Sequence, residues 1–487
     1  MMQNAPKQNV MKTLRKVAAS TLLSATALAH AGGDAAPDKA TRQLAWDMFK
    51  QLVEINTTDS VGNTTSAAHA MERRLLDAGF AQGDIVVAGP NDRKGNLVVR
   101  YHGRGKAKPV LLICHLDVVE ARREDWTTDP FQFVVKDGFV YGRGTQDVKD
   151  GDAILIATLI RFKHEGYVPD RDIIVALTAD EEGGTSNGIS WLLANKRELI
   201  DAEYVLNHDS GGVDSENGKV VSVQLGASEK VYADYWIAAT NPGGHSSLPR
   251  PDNAIYELNA ALTRLQQAPF PFELNAVTRE FFARDAPVEP KDVAADMRAL
   301  IGATLDTQAA QRLAKDARFN SVLRTTCVPT RLAGGHANNA LPQRAEALIN
   351  CRIFPGHSKE EIRRELVRKA DDEKLQVQFL DNDGSRSDTA PVDKAPVPPP
   401  IRADVLRVLD RVSAQMWHGA PVIAEMETGA SDSIYTNAAG LPSYGVSGIA
   451  IDRDDYRAHG RDERLRVSAF YEGLDFFGRV LRELTSK

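Results

Sequence analysis

Positive charge is in deficit: 59 lysines and arginines face 66 aspartates and glutamates, for a formal charge of -7. The basic residues are scattered among acids, so there is no field to hold a phosphate backbone, and nucleic acid is excluded as a partner. Beyond the N-terminus no tract is dominated by one residue type and no internal repeat occurs, which excludes fibrous and disordered classes. The apolar stretch Val17 to Leu28 falls short of the roughly 20 residues that span a bilayer, so no membrane association is expected of the mature form. Cysteine is scarce as well, with three in 487 residues.

What precedes and follows that apolar stretch gives it a meaning. Lys12, Arg15 and Lys16 come before it and Ala29-His30-Ala31 after it, the pattern of a secretory signal peptide over residues 1–31 with cleavage after Ala31. A periplasmic or secreted location is therefore expected. Met11 serves equally well as the start, since residues 1–10 have no signal character. In an exported chain an odd cysteine count leaves at least one thiol free or paired outside the chain. Cys114, inside an apolar run, reads as a small core residue. Cys327 and Cys351 lie on two strand-like runs, equally far from Asn339 in the loop between them. A hairpin would place them opposite each other, where a disulfide is geometrically possible; buried free thiols are the preferred expectation.

At about 150 residues per domain, the length predicts two or three domains. From about Thr41 to Gly226, helical segments such as "AWDMFKQLVEI" and "DAILIATLIRFKHEG" alternate with the strands "NLVVRYHG", "PVLLICHLD", "RDIIVALTADEE" and "AEYVLNHDSGG". Continuous Val/Ile/Leu runs separated by helices predict an α/β fold, a mostly parallel sheet covered by helices on both faces. Near Ser228 the pattern changes to "KVYADYWIAAT", "NAIYELNAALTRLQQ", "RTTCVPTRLAGG", "RAEALINCRIF", "SKEEIRRELVRKA" and "LQVQFLD", a βαββαβ order that predicts a separate α+β unit. The expected organisation is a first part of the main domain over 38–227, an inserted unit over 228–385 with a mostly helical insertion at 270–323, and a second part over 386–487.

Three of the four apolar strands end in acids or histidines. His115 and Asp117 follow one, Asp180, Glu181 and Glu182 another, His208 and Asp209 a third. Ligands collect at the carboxyl ends of strands in open α/β sheets, so groups far apart in sequence converge there. Each pair alone is ordinary loop chemistry; together they predict a metal site. Imidazole and carboxylate donors without thiolates fit zinc, and several carboxylates around one or two histidines fit two ions sharing a water. "YGRGTQDVKDG" adds Asp147 in a glycine-rich turn, and "RAHGRDERL" adds His459 from the far end of the chain. Alone, the first reads as a simple turn and the second as a surface histidine.

In order and spacing, the motifs HxD, GRGxxD, DEEGG, GGHSS, GGxxxNxxP, RxxPG and HGxxE resemble the M20 family of di-zinc metallopeptidases. Within it, "GRGTQDVKDG", "ADEEGG", "GGHSSLP" and "HGRDE" are most similar to the carboxypeptidase S and secreted N-acyl-amino-acid hydrolase branch. The resemblance implies a zinc exopeptidase-like fold and two zinc ions per chain, with cobalt or manganese as substitutes. His115 would bind one ion and His459 the other, with Asp147 bridging. Glu182 and Asp209 would complete the two sites and leave Glu181 as general base. Asp117 would accept the second imidazole N–H of His115 and fix its tautomer. The inserted unit would be a lid and dimerisation domain whose His245 stabilises the oxyanion in a partner's site, with Asn339 and Arg352 holding substrate. Arg352 suits bidentate capture of a carboxylate; its alternative is a surface ion pair. The implied activity is amide-bond cleavage in a small peptide or N-acyl amino acid, carboxypeptidase-like. An aminopeptidase or dipeptidase, or a non-catalytic peptide-binding member, is the alternative. Three departures stand out: "LNHDSGG" where relatives read LNEGG, Val148-Lys149-Asp150 where Met-Lys-Gly is common, and "GASDSIY" without a following arginine.

Overall fold

Strand Ala107–His115 lies near the middle of a ten-stranded sheet, parallel to Arg171–Thr178 on one side and to Tyr204–Asn207 on the other. The structure, a computed structural model, describes residues 36–381, 383–392 and 397–486. The signal segment expected over 1–31 lies outside them. Side chains alternate across a strand. Accordingly Leu112 and Cys114 enter a core beneath helices Lys39–Val53, Lys149–His164 and Val467–Thr485, while Leu111 and Ile113 enter another against helix Gly188–Asn195. Burial on both faces is why the run is continuously apolar. The α/β expectation holds, with a mixed sheet that is parallel at its centre.

Strand direction explains which strands carry chemistry. Asn96–Tyr101 runs antiparallel to Arg171–Thr178, so it exits at the opposite edge from His115, Asp180 and Asn207. The three parallel strands exit together. Helix Lys149–His164, buried from Lys149 to Phe162, begins at that same edge. It approaches the sheet closely at Gly151, where a Cβ would lie 2.4 Å from the His208 Nδ1 and 2.8 Å from the Cys114 sulfur.

The inserted unit forms its own antiparallel sheet, in the order Thr326–Gly334, Arg344–Ile353, Val231–Thr240, Gln376–Leu380, Arg386–Ser387. Helices Ala254–Gln267 and Lys359–Ala370 cover one face, burying Leu258 and Leu366 against Tyr235, Ile237 and Ile349. The βαββαβ order is present, extended by a short final strand. Cys327 and Cys351 are direct partners in the hairpin register and form a disulfide. That corrects the expectation of free thiols: the register sets the two sulfurs against each other on one face of the sheet. Cys114 is free and buried.

The insertion contributes helices Ala276–Asp285, Lys291–Leu300, Thr307–Leu313 and Ala317–Leu323. Their apolar faces, with Phe281, Phe282, Met297 and Leu300, close over Ile423, Ala424 and Met426 of the strand Val422–Glu427 in the ten-stranded sheet. Among the described residues no helix is long and apolar enough to cross a membrane.

Candidate metal centre

Two donor groups form at the carboxyl edge of the parallel strands, and they share one residue. His115, Asp147 and Asp209 make one; Asp147, Glu182 and His459 make the other, each with ligand atoms within 4.8 Å of one another. Asp147 faces both ways: its Oδ1 lies 3.1 Å from the Nε2 of His115 and its Oδ2 lies 3.1 Å from the Nε2 of His459. Asp209 Oδ1 is 3.5 Å from His115 Nε2, and Glu182 Oε2 is 2.8 Å from His459 Nε2. The five residues proposed as ligands from the sequence are therefore brought together, although 344 positions separate the two histidines (459 - 115).

The second nitrogen of His115 is spoken for, but by a different atom than expected. Its Nδ1 donates to the backbone carbonyl of Asp117 at 3.0 Å, while the Asp117 carboxylate stays 3.7 Å away. A carbonyl can only accept, so Nδ1 carries a proton, and in the neutral ring that a metal would bind the Nε2 lone pair faces the donor group. The Asp117 carboxylate instead accepts the backbone N–H groups of Glu181 and Glu182, at 3.1 and 3.0 Å. It braces the turn that presents both glutamates. That corrects the expected role of Asp117: the chain turns sharply after the strand, and the backbone oxygen reaches the ring first.

Other braces escaped the sequence reading. Glu463, fully buried, accepts from the backbone N–H groups of Gly144, Gln146 and Asp147 and pairs with Arg143 at 2.6 Å. It thus fixes the glycine-rich turn that carries Asp147, where Gly144 has φ +85°. The final glutamate of HGxxE was its only signal. Lys94 pairs with Asp59 at 2.6 Å and with Asp180, the residue before Glu181, whose φ is +56°. No motif marks Lys94.

Burial makes this cluster electrostatically tense. It opposes a charge on His115, yet the carboxylates of Asp209 and Asp147 outweigh it and hold the imidazole pKa well above the ordinary value. Hydrogen bonds to Asp147 and Glu182 lift His459 to about 10. Burial, reinforced by the neighbouring Asp209 charge, pushes Glu181 well above the usual carboxylate range. Asp209 itself is pushed up to about 7 by burial. Several acids and two imidazoles facing one small volume are what divalent cations relieve: the cations neutralise the acids, and nitrogen and oxygen donors suit them. The donor set fits two such ions.

The remaining candidates divide by position. Glu181 belongs to neither donor group although it adjoins Glu182. His208 points away, tilted against Phe477 with both ring nitrogens unpartnered among the described residues, and burial lowers it to about 3. Asp150 is buried in the first turn of its helix, its carboxylate likewise unpartnered among them. His245 and Asn339 sit together on the inserted unit, where the short strands Gly244–His245 and Ala340–Leu341 pair and Ser246 N–H donates to the Asn339 carbonyl. Neither touches the donor groups. Arg352 stacks over Tyr232, 4.9 Å from the ring centroid, and no carboxylate pairs with it among the described residues.

Strand ends that gather two overlapping histidine–carboxylate groups define a metal-dependent hydrolase. The chain belongs to peptidase family M20/M25/M40, whose model matches residues 111–483. It is 26% identical over 456 residues to the human N-fatty-acyl-amino acid synthase/hydrolase PM20D1, covering 89% of this chain and 85% of that protein. Carboxypeptidase S of Saccharomyces cerevisiae is 28% identical over 263 residues, 50% of this chain and 45% of its own. The fold is similar to that of an M20 metallo-carboxypeptidase from Sulfolobus solfataricus, with TM-score 0.65, 15% identity, and 90% and 98% of the two chains covered. It is also similar to a Bacillus subtilis M20 protein described as a dinuclear metal-binding peptidase, with TM-score 0.56, 14% identity, and 92% and 99% covered.

Proposed function

We propose that this chain is an exported di-zinc hydrolase that cleaves the amide bond of small peptides or N-acyl amino acids bearing a free α-carboxylate. The observation that carries the reading is the two-faced Asp147, one oxygen toward each histidine. His115, Asp147 and Asp209 would hold one ion, and Asp147, Glu182 and His459 the other. When bound, the ions supply a water of lowered pKa and polarise the scissile carbonyl. Glu181, raised in pKa and outside both donor groups, takes the proton as the water attacks and passes it to the leaving nitrogen. Asp117 and Lys94 hold the Glu181 turn in place, and Glu463 holds Asp147. Arg352, with no carboxylate partner among the described residues, suits capture of the substrate carboxylate, and Asn339, in the loop at the other end of the hairpin, would contact substrate separately. The Cys327–Cys351 disulfide supports export, since such bonds persist in oxidising compartments.

The test compares an N-blocked dipeptide with its C-amidated counterpart, using protein whose metal content is measured by mass spectrometry. About two zinc ions per chain and hydrolysis of the N-blocked substrate alone are expected, with cobalt or manganese restoring activity after chelation. Preference for the C-amidated substrate would favour an aminopeptidase. Well under one metal per chain, with no activity restored, would favour a peptide-binding protein.

A further inference from the structure

Away from the metal centre, the lid encloses a cavity of about 550 Å³ between helix Ala254–Gln267, strand Thr326–Gly334 and the end of the helical insertion. Pockets of about 300–1,000 Å³ accommodate small organic ligands. Leu262, Leu265, Phe270, Ile349 and Leu366 give it an extensive apolar wall. Asn259, Thr263 and Gln266, which also line it, are exposed and mark its mouth.

Two cations share the wall, and they differ in what they still lack. The ammonium of Lys369 is engaged by the carbonyls of Ala268 and Pro269 at 2.7 and 3.2 Å and by Glu365 at 3.2 Å. Arg324 is only 8% exposed; its Nη1 donates to the Phe270 carbonyl at 3.0 Å and its guanidinium lies 3.6 Å from the Phe272 ring centroid. Its Nε is buried without a partner, and no carboxylate pairs with it among the described residues. Burial alone shifts its pKa, downward. A buried guanidinium with donors left over is unfavourable unless an anion reaches it, and its planar fork matches a carboxylate.

We propose that this cavity binds an alkyl carboxylate, its chain along the wall from Leu262 to Leu366 and its carboxylate on Arg324. One guanidinium in the lining, without a carboxylate partner among the described residues, calls for one negative charge. The apolar wall calls for an unfunctionalised chain. The helical insertion supplies Asn320 to the lining and leads directly into Arg324, so it builds part of a ligand site in addition to its packing on the ten-stranded sheet.

Calorimetric titration of the metal-loaded full chain with decanoate, below its micelle concentration, tests this. Wild type is expected to bind one decanoate in the lid, with the negative heat-capacity change of apolar burial. Decan-1-ol, which lacks the charge, is expected to bind roughly tenfold or more weakly, the scale of a charge-assisted hydrogen bond. Arg324→Gln should weaken decanoate binding by a similar factor. Leu262→Trp, at a partly exposed position, fills the cavity and should abolish the lid binding, and it leaves Arg324 untouched should Arg324→Gln fail to fold. Decanoate that coordinates the metals would persist in both variants, so only the binding lost in Leu262→Trp counts. No binding sensitive to Leu262→Trp, or equal affinity for decanoate and decan-1-ol, overturns the assignment.

Discussion

Glu181 and Glu182 are neighbours that meet different surroundings. The carboxylate of Glu182 reaches His459 at 2.8 Å, whereas that of Glu181 lies in neither donor group. Glu181→Gln should therefore keep full metal content and lower kcat by roughly 100-fold to 10,000-fold, the usual contribution of a general base. Glu182→Gln should lose metal. Metal analysis beside turnover separates the two, and the opposite pattern would reverse the assignment. Asp117 poses a subtler question, because its carboxylate holds two backbone N–H groups rather than the imidazole. In Asp117→Asn one of those contacts becomes a donor facing a donor, so activity should fall about 10-fold to 100-fold, the scale for a group that positions others around a metal. Because His115 is oriented by the Asp117 carbonyl, which the mutation keeps, metal content should fall less than turnover. Loss of both in equal measure would return Asp117 to the ring.

The lid hairpin carries its own prediction. Strands Thr326–Gly334 and Arg344–Ile353 are joined by a disulfide between residues 24 apart. Closing a loop of that length is worth about 3 kcal/mol in the chain-entropy account of disulfides. Replacing both cysteines by serine should speed amide exchange in these two strands and leave metal content at the wild-type level; unchanged exchange would show that the sheet holds the hairpin without the bond. The cysteine positions were legible in the sequence, since the hairpin itself predicts their pairing, but register gives proximity and not the chemical state of two thiols. The same limit recurs across the fold. His115, Glu182 and Asp209 stand out because each follows an apolar strand, and the antiparallel Asn96–Tyr101 carries no ligand because its end points the other way. Glu463 bracing Asp147 did not stand out: it acts through backbone N–H groups more than 300 positions away, and neither periodicity nor composition records that. The insertion read only as helical because its partner, Val422–Glu427, comes about a hundred residues later.

At the scale of the whole molecule, the open issue is whether one chain makes a complete site. The backbone N–H of Ser247 donates to the Nδ1 of His245, so a neutral ring carries its proton on Nε2 and can donate it to an oxyanion. Within its own chain that donor bonds to none of the metal-centre residues. The strand Thr326–Gly334 lies at the end of the lid sheet, with Val328 53% and Leu332 72% exposed. Such an edge is a template for a second copy. From Val328 to Gly334 the strand is exposed. A symmetric dimer through the lid would offer each His245 to the partner. Glu181→Ala and His245→Ala homodimers should then both be nearly inactive. In a mixed dimer, the His245→Ala chain keeps its metals and Glu181 and receives an intact His245 from its neighbour, while the other site lacks both groups. Co-expression should therefore recover activity that neither parent shows, with at most half the sites of each heterodimer working. If native mass measurement confirmed heterodimers and they stayed as inactive as the parents, His245 would act within its own chain or not at all.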